Sequence, residues 1–273
     1  MTFDLTAYLG RIGLNTCPAS LEGLQNLQAA QMRSIPFENI EPFLGAVPDL
    51  APEALWQKLI TSRRGGYCFE LNALLGLALN ALGFAARPIL ARVRMGAPAG
   101  GPRAHLAWVV TIETRHYLVD AGFGGPGALG PIEIVEERVQ HVAGTPFRIV
   151  LDLVNGEHVL QRAAGDDWFS LYSFDDAAVT EPDIEAANVV CARWDKSPFP
   201  SNLMLNLHRA YGRVSLFNCA AKLEADGALK TWTITTRAQL QRDLAELFQL
   251  RCDDRIIAAV WGRLSQTASL DAA

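Results

Sequence analysis

Apolar residues recur at helical spacing through the first 86 residues of the chain. Asp4 and Ser20 precede two of these periodic segments and are suited to cap helix N-termini, and Gly83 follows the last segment. Pro36 interrupts the pattern, because proline disfavours helix in the residue before it. This part of the chain is therefore predicted to be a small helical bundle. The predicted helices cover residues 4–12, 20–33, 52–62 and 68–82.

From residue 87 onward, the period of the hydrophobic pattern changes from about 3.6 residues to 2, as expected for strands. Short, regularly spaced strands separated by Gly, Pro or charged turns predict an antiparallel sheet that curls into a barrel. The predicted strands cover residues 87–93, 105–112, 117–121, 132–135, 147–153 and 168–174. After residue 190 the pattern indicates a segment at 200–206, a hairpin of 213–218 with 222–235, and helices at 237–248 and 258–264.

Composition places the chain among folded proteins with a substantial buried core, since 50% of its 273 residues are hydrophobic and 19% are charged. A net charge of −5 argues against a nucleic-acid partner. The longest apolar run, residues 71–86, contains two asparagines and is short for a membrane span, so no membrane partner is expected. The first residues lack the pattern of a signal peptide, and a cytoplasmic location is predicted.

The five cysteines are scattered and include no Cys-x-x-Cys pair, which predicts neither a disulfide framework nor a zinc site. Cys68 stands out because it follows Gly65 and Gly66 at the predicted start of an apolar helix. A helix start carries unpaired N–H groups and a partial positive charge, which favour a thiolate and could also hold an oxyanion. Cys68 is therefore a candidate nucleophile.

A cysteine nucleophile needs a histidine beside it, usually oriented by a carboxylate. His105 begins one predicted strand and Asp120 ends the next. If a two-residue loop at Glu113 and Thr114 joins these strands, His105 and Asp120 lie on one face as diagonal neighbours. Glu-Thr is a poor pair for such a turn, so this register is a hypothesis.

Each of these residues also has a structural interpretation. A lone cysteine at the start of an apolar helix is most often a small buried hydrophobic residue. A single histidine on a strand is usually structural, and an aspartate before Ala-Gly commonly forms a turn. The combination of Cys68, His105 and Asp120 favours catalysis over these separate explanations.

Several separated motifs resemble those of the arylamine N-acetyltransferase family, in the same order and over nearly the whole chain. They are Ile-Pro-Phe-Glu-Asn at 35–39, Arg-Gly-Gly-Tyr-Cys-Phe-Glu-Leu-Asn at 64–72, His-Leu at 105–106 and Val-Asp-Ala-Gly-Phe-Gly at 119–124. The resemblance implies an α+β fold with a cysteine-protease-like catalytic core. Its parts would be a helical bundle (residues 1–86), an antiparallel β-barrel (87–190) and an α/β lid (191–273).

The resemblance further implies a catalytic triad of Cys68, His105 and Asp120 and a ping-pong reaction without a metal. Acetyl-CoA would acetylate Cys68, and an arylamine or arylhydrazine would then accept the acetyl group, an activity used in xenobiotic metabolism. A homodimer is also possible on this basis. By the same matching, Phe37, Phe123 and Phe199 would line the amine pocket, and Gly124, Gly125 and Ser197 would contact CoA.

Two further positions follow from the resemblance. Arg64 and Glu38 match a pair that ties the cysteine loop to the Pro-Phe-Glu-Asn segment, and a charge-assisted contact between them is predicted. The family's later motif, by contrast, is altered between Ala192 and Lys196, where similar proteins bring the lid to the active-site cleft. The resemblance therefore does not determine the affinity for CoA or the range of amine acceptors.

Other functions remain open from the sequence. A thioesterase or amidase would use the same thiolate with water or another acyl donor. A binding homologue would hold CoA or an aromatic amine without turnover, and the altered segment leaves room for this alternative. A metal enzyme is poorly supported, because no His, Cys or carboxylate cluster has ligand spacing.

Overall fold

Helices form most of the first 81 residues, in agreement with the sequence pattern. The computed structural model describes residues 3–210 and 212–270. The Asp4 carboxylate accepts a hydrogen bond from the Ala7 N–H, and the Ser20 hydroxyl accepts one from the Gly23 N–H, so both predicted caps are confirmed. The elements are α1 (Leu5–Ile12), α2 (Leu21–Ser34), β1 (Phe37–Glu38), α3 (Ile40–Phe43), α4 (Pro52–Leu55), the π-helical segment Trp56–Thr61 and α5 (Cys68–Ala81).

Helix α5 is the central helix of this bundle. Leu74, Leu75, Ala78 and Leu79 are all fully buried, because the other helices and the barrel cover α5 on several sides. A helix that is apolar around most of its circumference must be enclosed in this way. The long apolar run in the sequence is therefore core, and no described helix has the length and hydropathy needed to cross a membrane.

Eight antiparallel strands form the predicted barrel, in the order β5-β4-β3-β2-β9-β8-β7-β6. A backbone bridge between Glu136 and Ile149 nearly closes it. The sequence pattern missed β6 because it has only three residues, and it missed β8 because several of its residues are half-exposed and show no clear alternation. The strands are β2 (Ala85–Val93), β3 (Arg103–Ile112), β4 (Arg115–Val119), β5 (Ile132–Glu133), β6 (Gln140–Val142), β7 (Thr145–Asp152), β8 (Glu157–Ala164) and β9 (Asp167–Phe174).

A second antiparallel sheet, in the order β1-β10-β11-β12-β13, forms the last part of the chain together with two helices. The predicted hairpin of 213–218 with 222–235 is confirmed as far as Ala225, but Asp226 and Gly227 both have positive φ and turn the chain back into a second hairpin. The elements are β10 (Met204–Arg209), β11 (Gly212–Phe217), β12 (Ala220–Ala225), β13 (Ala228–Thr233), α7 (Arg237–Glu246) and α8 (Asp254–Leu270).

Helix α6 (Glu181–Arg193) was missed by the sequence pattern and contains the predicted domain boundary at residue 190. Asp183 marks its start, where its carboxylate accepts a hydrogen bond from the Thr180 N–H at 2.8 Å. Ala187 and Cys191 pack in the same apolar cluster as the N-terminal helices. This helix therefore joins the core of the bundle that carries Cys68.

Strand β1 connects the N-terminal region to the last sheet. Phe37 pairs with Asn206 of β10, and Glu38 pairs with Leu205. Phe37 also forms a parallel bridge with Gly66, two residues before Cys68. Two residues of β1 thus hold the Cys68 loop and the second sheet together.

Candidate active site

The β3–β4 hairpin brings His105 and Asp120 together. Ile112 pairs directly with Arg115, so Glu113 and Thr114 form the two-residue loop required by the predicted register. Glu113 takes a positive φ of 54° to make this turn. The His105 Nε2 then lies 2.7 Å from the Asp120 Oδ2, and both side chains are buried. The predicted contact between these residues is confirmed.

Asn72, one helical turn after Cys68, fixes the Asp120 carboxylate. The Asn72 Nδ2 donates to the Asp120 Oδ1 at 2.9 Å and to the Leu106 carbonyl at 2.6 Å. The Gly122 N–H donates to the same Oδ1 at 2.9 Å. The Asp120 Oδ2 is consequently left to face His105. Sequence reasoning missed this role of Asn72, although a polar residue inside an otherwise apolar helix was a signal for it.

Cys68 is the first residue of α5 and is only 4% exposed. The Glu70 carboxylate accepts a hydrogen bond from the Tyr67 N–H at 3.1 Å and closes the first turn of the helix. The Cys68 sulfur lies near enough to the His105 ring for each group to shift the pKa of the other, and because Asp120 occupies Nε2, Nδ1 is the ring nitrogen left to face the sulfur. The three side chains therefore form one chain of polar contacts.

Gly122 permits this close approach of the β4 end to α5. A Cβ atom on Gly122 would lie 2.6 Å from the Asn72 Nδ2 and 2.9 Å from the Cys68 carbonyl oxygen. Real Cβ atoms essentially never come that close to such groups, so a larger residue would push the strand away from the helix. The motif Asp-Ala-Gly thus needs its glycine for packing.

The electrostatics of the site centre on His105. Burial alone lowers the pKa of His105, but the charge and hydrogen bond of Asp120, aided by Cys68, raise it above its usual value. Burial alone raises the pKa of Asp120, but His105, Asn72 and Gly122 hold it below its usual value. The pair is thus a buried carboxylate and an imidazole of increased basicity.

Burial raises the pKa of the Cys68 thiol, a hydrogen bond with Cys191 raises it further, and His105 lowers it. The net direction is upward, opposite to the direction expected from the helix start alone. The enclosed position of the sulfur, which the sequence does not reveal, accounts for this difference. His105 is therefore the neighbour that favours the thiolate form of Cys68.

Replacing Cys191 by Ala is expected to increase the rate at which iodoacetamide alkylates Cys68 near neutral pH. The substitution removes the hydrogen bond that stabilises the thiol form, so the pKa of Cys68 falls. Peptide mass spectrometry over a pH series measures this rate, and Cys17 in the same sample serves as the internal reference. An unchanged or slower rate at Cys68 would rule out this role of Cys191.

A cavity of about 540 Å³ opens onto Cys68 and His105. Its lining includes Phe37, Phe123 and Phe199, as well as Gly124 and Gly125. The Phe37 and Phe199 ring centroids are 6.0 Å apart. The predicted aromatic residues therefore come together beside the sulfur.

Ser197 does not line this cavity. Its hydroxyl donates a hydrogen bond to the Cys191 carbonyl at 2.6 Å and so closes the end of α6. The altered segment is also outside the cavity: Arg193 and Lys196 are exposed, and Lys196 lies over the Trp194 ring. Among the described residues, no group of three or more potential ligands is placed to hold a metal ion.

The Pro-Phe-Glu-Asn segment at 36–39 contacts the elements around the site. The Arg64 Nε donates to the buried Glu38 carboxylate at 2.9 Å, which confirms the predicted charge-assisted contact. The Asn39 side chain donates to the carbonyls of Phe199 and Asn202 at 3.0 and 2.8 Å. Three residues of the segment thus serve different neighbours: Phe37 lines the cavity, Glu38 holds the cysteine loop, and Asn39 binds the loop before β10.

Comparison with known proteins agrees with this geometry. The sequence model of the N-acetyltransferase family matches residues 20–257. An arylamine N-acetyltransferase of Mycobacterium bovis is 34% identical over 262 residues, which cover 93% of this chain and 92% of the relative. The chain belongs to the arylamine N-acetyltransferase family. It is accordingly an acyltransferase with the family's α+β fold.

Solved structures of the family are similar over almost the whole chain. The arylamine N-acetyltransferase of Salmonella typhimurium superposes with a TM-score of 0.90 at 29% identity, covering 96% of this chain and 98% of that structure. The Mycobacterium marinum enzyme in complex with CoA gives a TM-score of 0.88 at 30% identity, covering 96% and 99%. The N-terminal helices, barrel and last sheet are thus shared with the family.

Proposed function

We propose that this protein transfers an acetyl group from acetyl-CoA to an arylamine or arylhydrazine through an acetyl thioester on Cys68. The observation that carries the proposal is the chain of contacts from Cys68 through His105 to Asp120, facing an aromatic cavity. Family membership supports it, as does the CoA complex of the Mycobacterium marinum relative. Cys68, His105 and Asp120 are the proposed catalytic triad.

In the first half-reaction, the Cys68 thiol gives its proton to His105, and the sulfur attacks the acetyl carbonyl of acetyl-CoA. Backbone N–H groups at the start of α5 stabilise the oxyanion that forms. The bond to the CoA sulfur then breaks, and His105 returns its proton to the departing CoA thiolate. The products are the acetyl thioester of Cys68 and free CoA, with His105 neutral.

In the second half-reaction, the amine nitrogen attacks the Cys68 thioester. His105 takes a proton from the nitrogen, the carbon–sulfur bond breaks, and the proton passes to the Cys68 sulfur. Asp120 holds the ring in the required orientation and stabilises the imidazolium. The second step is favourable because an amide is more stable than a thioester.

The cavity supplies recognition for both substrates. Phe37, Phe123 and Phe199 offer ring surfaces for the aromatic amine. Gly124 and Gly125 expose backbone to the same cavity, in keeping with the predicted CoA contact. Lys222 also lines the cavity and adds a positive charge that suits an anionic donor.

Intact-mass analysis after mixing the protein with acetyl-CoA and no acceptor tests the proposal. One acetyl group per chain is expected, and it should disappear when an arylamine is added. Cys68→Ser should remain unacetylated, whereas Cys17→Ser, the matched change at a half-exposed cysteine, should behave as wild type.

Two results would contradict the proposal. A folded protein that gains no acetyl group would favour a binding function. An adduct that water removes while arylamines leave it untouched would instead indicate a thioesterase.

A further inference from the structure

A second cavity, of about 160 Å³, lies between the barrel and the last sheet. It is separated from the active-site cavity by Pro126 and Arg213, which line both. Strands β6, β7 and β8 form its barrel side, and β10, β11 and β12 form the other side. Its volume accommodates several water molecules and hence a tetrahedral oxyanion.

His208 supplies an unsatisfied polar atom in this cavity. The residue is only 9% exposed, and its Nε2 is buried without a hydrogen-bond partner among the described residues. A buried polar atom without a partner is costly, and such atoms in native proteins commonly bind a group from outside the chain. The cavity lining places His208 beside the space that such a group would fill.

The same cavity concentrates positive charge. Arg162 and Arg213 both line it, and the Arg162 side chain makes no ion pair or hydrogen bond within the described part of the chain. Glu224 is the one acidic residue of the described lining, and it already accepts from Arg213 at 2.7 Å. A protein with a net charge of −5 therefore gathers unneutralised cationic charge at this site.

The positive charges in this cavity lower the pKa values of the neighbouring basic side chains. Burial, followed by the charges of Arg213 and Arg33, lowers the pKa of His208 to about 4. Burial and the charge of Arg213 also lower the pKa of Arg162, whereas Glu224 opposes this shift. A bound anion would relieve this repulsion.

We propose that this cavity binds a phosphate-type dianion, with Arg162 and His208 as its principal contacts. The guanidinium of Arg162 offers paired N–H donors suited to phosphate oxygens, and the His208 Nε2 gains the partner it lacks. Two sources have this chemistry: free phosphate or, if the proposed function holds, a phosphate of CoA reaching past Pro126. The cavity volume excludes a whole nucleotide, so a single phosphate group is the ligand.

Calorimetric titration with inorganic phosphate and with CoA tests this proposal without requiring turnover. We expect Arg162→Gln to weaken binding of the true ligand about tenfold or more, as the loss of a charge-assisted contact does. The matched control is Arg115→Gln, which makes the same change at an exposed barrel arginine and should leave affinity within about twofold. His208→Gln is a second variant if Arg162→Gln fails to fold.

The two sources give different results. If free phosphate is the ligand, Arg162→Gln weakens phosphate binding and leaves the KM for acetyl-CoA unchanged. If a CoA phosphate is the ligand, the variant raises the KM for acetyl-CoA but not that for acetyl-pantetheine, which lacks phosphate. Wild-type-like affinity of the variants for both phosphate and CoA, or effects equal to those of Arg115→Gln, would overturn the site. A failure of acetyl transfer would not affect the phosphate titration.

Discussion

Replacing Asp120 by Asn is expected to lower the rate of acetyl transfer by about 10⁴-fold while the fold is retained. The reason lies at the Asp120 Oδ1, which already accepts hydrogen bonds from the Asn72 side chain and the Gly122 N–H. The amide oxygen of the substituted side chain must occupy this position, because an NH₂ group there would face two donors. The NH₂ group would then donate to the His105 Nε2.

A donor at Nε2 leaves the proton of neutral His105 on Nδ1, the nitrogen that faces Cys68. His105 could then no longer accept the proton of the thiol. Single-turnover CoA release from acetyl-CoA measures the effect, and thermal unfolding reports the fold. Asp176→Asn, the same change at a largely exposed carboxylate, is the control and should leave the rate of CoA release unchanged. A rate for Asp120→Asn within tenfold of wild type would show that the orientation of His105 does not depend on Asp120.

Arg64→Ala is expected to lower the free energy of unfolding by about 3–5 kcal/mol, the usual cost of removing one partner of a buried ion pair. Glu38 would be left as a buried carboxylate whose remaining hydrogen bond comes from the Ile40 N–H. Urea unfolding measures the change. Arg87→Ala, which breaks an exposed ion pair with Asp176, should cost less than about 1 kcal/mol.

Removing both charges tests how much of the lost stability comes from leaving the Glu38 carboxylate buried without a partner. The double variant Glu38→Gln with Arg64→Met should recover part of the stability lost in Arg64→Ala, because no uncompensated charge stays buried. The soluble yield should likewise be higher for the double variant than for Arg64→Ala. A stable Arg64→Ala protein whose only defect is kinetic would contradict this structural role and place Arg64 in the reaction instead.

Local signals in the sequence predict the local structure well. Capping residues Asp4 and Ser20, the break at Pro36 and the hairpin loop at Glu113 all follow from interactions between residues close in the chain. Helix α6 and strand β8 were missed because their faces are only partly buried, which blurs the hydrophobic period. The pairing of β1 with β10 has no local signature at all.

The contact between His105 and Asp120 was predictable because the chemistry of a cysteine nucleophile restricts the choice of residue types. The residues that hold these groups in place were not predictable, because the role of a buried amide side chain becomes clear only when its hydrogen-bond partners are known. Gln28 is an example: its Nε2 donates to the backbone carbonyls of Asp120 and Ala128, about 100 residues away. The raised pKa of Cys68 likewise depends on burial and on Cys191, which no local pattern brings beside the sulfur.

Strand β1 also determines when the site becomes complete during synthesis. Cys68, His105 and Asp120 all leave the ribosome before β10, yet Phe37 acquires its strand partner only when Asn206 has emerged. The carbonyls that bind the Asn39 side chain belong to Phe199 and Asn202 and arrive equally late. Contacts this distant in sequence form slowly. A nascent chain released before residue 206 would therefore contain Cys68, His105 and Asp120 and still lack the strand partner that holds Phe37 in place.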